Sequence, residues 1–318
     1  MLDVFFMAIA VVFVVLIAFI YLAPARVTNF ALGAERSRSS LVRKEIELPN
    51  GLHYVYLEGG QGDALILLHG FGGNKDNFTR VSRFLVKHYR VIIPDIISFG
   101  ESSRPPNTDY APTDQVERLR TFSQALGVNN LHLGGNSMGA QITMIYASLY
   151  PTEVKSLWLL SPAGVWSAPK SDVLKVFAET GNNLLIARNV EQFQQVMALG
   201  MEKIPWIPKP MLKVLAQERI QNAALEDRIL HQIMDYSVEK QIEGMETPTL
   251  IIFGDRDRVI SIKTADILRT LLPNSNVSVL HGIGHVPMFE SPQQCAKDYL
   301  SFRTSIQPME VKTSHVEK

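Results

Sequence analysis

The stretch "NLHLGGNSMGAQITMIYASLYP", residues 130–151, changes character at one serine. Leu131 to Leu133 have strand character, and after Ala140 the apolar residues follow a helical pattern until Pro151. Between the two, Gly135 and Gly139 flank Ser137, and G-N-S-M-G fits the G-x-S-x-G pattern of a nucleophile elbow. A serine whose hydroxyl must stand clear of a sheet edge sits in a strained backbone conformation. Glycines on either side remove the side chains that would collide in so sharp a turn. The helix that begins at the serine points its free N–H groups at whatever the hydroxyl attacks.

Strand-like runs recur on both sides of that turn: "KEIELP" (44–49), "LHYVYLEG" (52–59), "ALILLHG" (64–70), "YRVIIPDII" (89–97), "SLWLLSP" (156–162), "TLIIFGD" (249–255) and "VSVLHGIGH" (277–285). Several are continuously apolar, as strands buried on both faces of a parallel sheet must be. Helical patterns at 77–89, 115–127 and 140–150 alternate with them. The expected fold class is therefore α/β, with a mostly parallel eight-stranded sheet. The alternation stops over 166–246, where only helical patterns occur, so a helical cap is expected to interrupt a core of residues 42–165 and 247–306. A cap inserted there would cover the carboxyl edge of the sheet, where open α/β sheets keep their ligand sites.

A serine hydroxyl needs a base, and the base needs an orienting acid. In this architecture they follow in the order serine, acid, histidine. Asp255 and Asp257 compete in "GDRDRVI". Asp257 is preferred because it lies in the loop past the strand end, and Asp255 is expected to make a turn hydrogen bond. His281 and His285 compete in "HGIGHVPMFE". His285 is preferred because it follows a glycine, lies farther from the strand and has an apolar stretch behind it to exclude water. An oxyanion hole requires two backbone donors. Met138, after the serine, and Phe71, in the glycine-rich "HGFGGNKDNF" loop, are the candidates, with His69 expected to buttress that loop.

The balance of 31 basic and 31 acidic side chains gives nucleic acid no support as a partner. The single cysteine, Cys295, excludes an internal disulfide and a cysteine-rich metal site, and is read as a buried thiol on the last helix. Residues 4–22, "VFFMAIAVVFVVLIAFIYL", carry no charge and no proline, and as a helix would span roughly 28 Å. Residues 1–25 are thus expected to be a single-pass transmembrane anchor, followed by a polar linker over 26–41. The rival is a cleaved signal ending near "APA" (23–25), which would leave a secreted or periplasmic protein. Arg26, Arg36, Arg38, Arg43 and Lys44 follow the run and favour a cytoplasmic-facing bulk. Residues 307–318 read as a frayed tail.

"HGFGGNKDNF", "IPDIISFGESSRP", "GGNSMGA", "SLWLLSPAGVWS", "PTLIIFGDRDRVI" and "GHVPMFE" together resemble the α/β-hydrolase superfamily. Within it they are similar to bacterial lipases of the cold-adapted Moraxella and Psychrobacter type and to the membrane-anchored monoacylglycerol lipases of animals. The resemblance covers roughly residues 42–305 and departs at Ala140 and Ser98, where glycines are usual. It implies a triad of Ser137, Asp257 and His285, a hole formed by Phe71 and Met138, an acylglycerol or other lipid ester as substrate, and no metal, organic cofactor or obligate protein partner. Trp206 and Val286 are candidate substrate contacts. Trp206 is expected either to touch a membrane interface or to pack beneath the cap. The alternative activities on this scaffold are hydrolysis of small esters or of a C–C bond in ring-cleavage products. Dehalogenase and epoxide hydrolase chemistry would need a carboxylate where Ser137 stands.

Overall fold

Strands rich in β-branched and leucine side chains bury both faces only if helices cover both sides. The computed structural model, which describes residues 5–7, 18–106 and 108–306, has that layered form. Strands β1 (Val42–Glu47), β2 (His53–Gly59), β3 (Ala64–Leu68), β4 (Arg90–Pro94), β5 (Leu131–Asn136), β6 (Val154–Leu160), β7 (Thr249–Gly254) and β8 (Ser275–Leu280) form one sheet in the order β1-β2-β4-β3-β5-β6-β7-β8. Only β1–β2 and β2–β4 pair antiparallel; the remaining pairs are parallel, so the expected eight-stranded, mostly parallel sheet is observed.

The described helices are numbered α1 (Pro24–Arg38), α2 (Thr79–Leu85), α3 (Pro112–Ala125), α4 (Met138–Leu149), α5 (Asp172–Thr180), α6 (Val190–Gly200), α7 (Lys209–Gln221), α8 (Ala223–Met234), α9 (Glu239–Ile242), α10 (Thr264–Leu271), α11 (Pro287–Glu290) and α12 (Pro292–Ile306). Alternate residues of the central strands feed two cores. Ile66, Leu68, Leu131, Leu133, Leu157 and Ile251 pack with α4 on one face. Leu65, Leu67, Val91, Trp158 and Ile252 pack with α2 and α12 on the other. Cys295 is fully buried in the second core, where desolvation raises its thiol pKa well above the usual range. Helices α5 to α9 lie between β6 and β7, with no strand among them.

Two local expectations change. Residues 24–38 are not an open linker but helix α1, started by Pro24 and packed on α2 and α7. Polar composition hid its docking, which uses ion pairs: Arg36 to Asp76 at 2.6 Å and Glu35 to Arg80 at 2.7 Å. Helix α10 has no counterpart among the helical patterns read from the sequence. The expected span 4–22 lies largely outside the described residues, since 4 and 8–17 are not among them. Among the described residues no helix is long and apolar enough to cross a membrane.

Candidate active site

β5 ends at Asn136, α4 begins at Met138, and Ser137 between them has φ +55° and ψ −116°. A side chain there is rarely tolerated, so the turn stores strain. The flanking glycines relieve crowding by their lack of Cβ. A Cβ on Gly135 would lie 2.3 Å from the Gly139 carbonyl carbon, and one on Gly139 would lie 2.2 Å from the Leu68 oxygen. The first reason is helix against strand, the second is helix against the end of β3, and together they hold α4 tight to the sheet.

Asp257 and His285 come from the loops after β7 and β8 and meet at 2.8 Å, Oδ2 to Nδ1, with the carboxylate side chain wholly buried. Oδ1 of Asp257 accepts from the amides of Val259 and Ile260, both at 2.9 Å, which fixes the carboxylate before it meets the ring. The backbone of His285 is held to the elbow itself: Asn136 Nδ2 donates to the His285 oxygen at 2.9 Å and to the Leu160 oxygen at 3.0 Å. Thus the residue beside Ser137 grips the residue that carries the imidazole. Ser137 and His285 are both nearly buried, at 8% and 7% exposure. Among the described residues no hydrogen bond joins the Ser137 hydroxyl to His285, whose ring bonds through Nδ1 to Asp257.

The competing pair forms too, but elsewhere. Asp255 accepts from Gly282 N at 2.7 Å, as a turn residue should, and meets His281 Nδ1 at 3.1 Å. That imidazole is 90% exposed.

The loop after β3 approaches the elbow directly, since a Cβ on Gly70 would lie 3.2 Å from Ser137 Cβ. Met138 is the first residue of α4, so its N–H has no intrahelical partner. Among the described residues the Phe71 N–H has no protein acceptor either. His69 buttresses this loop. Its Nε2 accepts from Ile96 N at 3.0 Å, so the proton sits on Nδ1 and is donated to the Gly70 oxygen at 2.8 Å. Burial lowers the His69 pKa and keeps the ring neutral. A Lys75–Asp95–Glu101 cluster fastens the same loop from below: buried Lys75 Nζ is 2.7 Å from each carboxylate. Burial would lower that ammonium, but the two acids outweigh it and raise its pKa.

A family profile described as the alpha/beta hydrolase fold matches residues 63–292. The chain belongs to that family. Lipase 1 of Psychrobacter immobilis is 43% identical over 281 residues, covering 86% of this chain and 87% of that protein. Monoacylglycerol lipase ABHD6 of Mus musculus is 29% identical over 259 residues, covering 78% and 77%. A crystal structure of a bacterial membrane phospholipase A is similar with TM-score 0.86 at 34% identity, covering 95% of this chain and 98% of that one.

In this alpha/beta hydrolase the two candidate substrate contacts have different settings. Val286 follows His285 and is half-buried against the α2–α12 core. Trp206 does not pack beneath the helices between β6 and β7; it is 87% exposed on the connector between α6 and α7, near Ile204 at 47%. Pro205 and Pro208 keep that connector out of helix until α7 starts, with Pro210 in its first turn, and the indole stays outside. Sequence reasoning missed Asn136, which occupies a position the elbow pattern leaves open.

Proposed function

We propose that the chain is a carboxylic ester hydrolase acting on lipids, an acylglycerol lipase that works through an acyl-enzyme on Ser137. The observation that carries the reading is the buried Asp257–His285 pair tied through Asn136 to a strained serine. Such an arrangement makes a neutral alcohol a competent nucleophile. As substrate excludes water, the Ser137 hydroxyl closes on His285 Nε2, since catalytic contacts tighten on binding. Ser137 Oγ attacks the ester carbonyl and its proton passes to Nε2. Asp257 keeps the Nδ1 proton in place and stabilises the imidazolium. The carbonyl oxygen becomes an anion held by the Phe71 and Met138 N–H groups. Collapse breaks the ester C–O bond, and the imidazolium protonates the departing alcohol. A water deprotonated by the same Nε2 then attacks the acyl carbon, and the fatty acid leaves with Ser137 restored. No step calls on a metal or organic cofactor.

The lipid substrate draws support from the lipase names of the relatives and from the apolar run at 4–22. Residues 1–25 act as a single-pass anchor in this reading. Residues 166–246 act as a cap between core segments 42–165 and 247–306. Helix α1, which follows the run in sequence, packs along α7, the helix entered by the Trp206 connector, so α1 and the exposed indole belong to neighbouring elements. Trp206 then rests in the membrane interface, where indoles are favoured.

Full-length enzyme assayed on mono-, di- and triacylglycerols of increasing chain length, with Ser137→Ala as control, tests the activity. Release of long-chain fatty acid that vanishes in the variant is expected. Turnover confined to short water-soluble esters would return the small-ester reading. Membrane fractionation of the full chain against residues 23–318 tests the anchor, and retention of the shorter chain in the membrane pellet would overturn it.

A further inference from the structure

The loop carrying His285, residues 281–286, belongs to no strand or helix, so something other than a ladder must hold it still. One carboxylate organises it. Glu290 Oε1 accepts from Gly284 N at 2.8 Å, and Oε2 accepts from Glu202 N at 2.8 Å and Lys203 N at 2.9 Å. Segment 200–203 is the start of the Trp206 connector, and it returns the contact: His285 N donates to the Gly200 oxygen at 2.8 Å. Gly284 fits only because it lacks a side chain, since a Cβ would lie 2.8 Å from the Gly200 oxygen and 2.9 Å from Glu290 Oε1. Arg258, next to Asp257, holds the same segment through the Met201 oxygen at 3.2 Å and Glu202 at 3.5 Å.

We propose that Glu290 is a positioning residue for His285. Its carboxylate fastens the first residues of the α6–α7 connector to the glycine before the histidine, and this clamp fixes the imidazole against Asp257 and toward Ser137. Three charge-assisted hydrogen bonds onto two oxygens make it stronger than neutral turn contacts would be. The proposal rests on the triad reading above.

The Glu290→Gln variant keeps the shape but offers one acceptor oxygen. That oxygen serves either Gly284 or the 202–203 pair, while the amide N–H groups face other N–H groups. Glu290→Ala removes every acceptor. With a short soluble ester, kcat should fall about tenfold in Glu290→Gln and about a hundredfold in Glu290→Ala, because small misplacements of a catalytic group cost that much. KM should stay within about twofold. The rate at which a fluorophosphonate labels Ser137 should fall in step with kcat. Assays are made on protein shown to be folded by thermal melting, and the near-isosteric Gln variant carries the test where the Ala variant does not fold. A lowered melting temperature with kcat and labelling unchanged would overturn the proposal by reducing Glu290 to a structural role. A raised KM with unchanged kcat would overturn it in favour of a role in substrate approach. Wild-type protein that resists labelling, or labelling that survives Ser137→Ala, would instead remove the triad reading and the clamp with it.

Discussion

Ser98 and Ser137 both sit in the left-handed region, at φ +85° and +55°, and the proposed function gives a reason for the strain only at Ser137. Ser98 is buried, and among the described residues its Oγ has no hydrogen-bond partner. Ser98→Gly should therefore raise stability by about 1 kcal/mol, read as a higher urea midpoint, with ester turnover unchanged. An unchanged or lower midpoint would mean that the loop gains something from the hydroxyl. Choosing between the two Asp–His pairs is also a residue-scale question. Asp257→Asn can keep the bonds from Val259 and Ile260 through its one oxygen, but its amide then presents N–H to the ring, which must give up the Nδ1 proton and stands in the wrong tautomer. A loss of kcat of about 10⁴-fold is expected with near-normal stability, whereas Asp255→Asn should leave kcat within about twofold. Equal losses in both variants would mean that the acid is misassigned. Position relative to the strand ends is the ground on which the sequence favours Asp257 over Asp255 and His285 over His281, because the elbow geometry demands loops that can curl over the sheet edge, and the two Asp→Asn variants test that choice. Asn136 and Glu290 escaped the same reasoning: their task is to hold backbone groups, and backbone groups carry no sequence signature.

Helix α7 meets the loop after β3 through one buried side chain. Arg219, at 6% exposure, binds Glu226 through Nε and Nη2 and donates to the Leu185 oxygen at 2.6 Å. Its guanidinium fills the space that a Cβ on Gly72 would take and lies 5.5 Å from the Phe71 ring centre. The α7–α8 turn and the loop that offers the Phe71 N–H therefore share one buried cation. Arg219→Ala would strand the Glu226 charge and should cost about 3–5 kcal/mol. Pairing Arg219→Leu with Glu226→Leu removes both charges and should recover most of that stability, yet kcat should remain several-fold low because the loop has lost its support. Denaturant unfolding and ester turnover on the same samples decide it; full recovery of kcat in the double variant would separate the cap helices from the hole. The eight strands and most of the helices were legible because their periodic apolar runs dictate them. Helix α1 was not, since its sequence has only a weak apolar face and its place depends on Arg36 and Glu35 finding Asp76 and Arg80 some 40 and 45 residues away.

At the scale of the whole molecule the chemistry gathers at the carboxyl ends of the parallel strands, while His132, near the start of β5, is buried away from it. Burial, helped by the nearby Arg303 charge, holds the His132 pKa down to about 4, although Asp63 at 3.5 Å opposes the shift. Its Nδ1 is 2.8 Å from Ser156 Oγ, and among the described residues its Nε2 has no hydrogen-bond partner beyond the 3.5 Å approach to Asp63. An unfolded chain binds this proton near pH 6.5, so between that pH and about 4 the unfolded state holds more protons than the folded one. The His132 contribution is thus fully present above pH 6.5 and is lost as the solution is acidified toward pH 4. The loss should reach on the order of 2 kcal/mol by pH 5. Replacement by asparagine, which keeps a polar partner for Ser156 but does not titrate there, should flatten the stability curve between pH 6.5 and 5 while leaving ester turnover at pH 8 unaltered, since the residue lies outside the candidate active site. Urea unfolding of both proteins at half-unit pH steps measures the difference. Parallel slopes would show that the acid sensitivity of the fold arises elsewhere, and that the back of the sheet accommodates the imidazolium without loss.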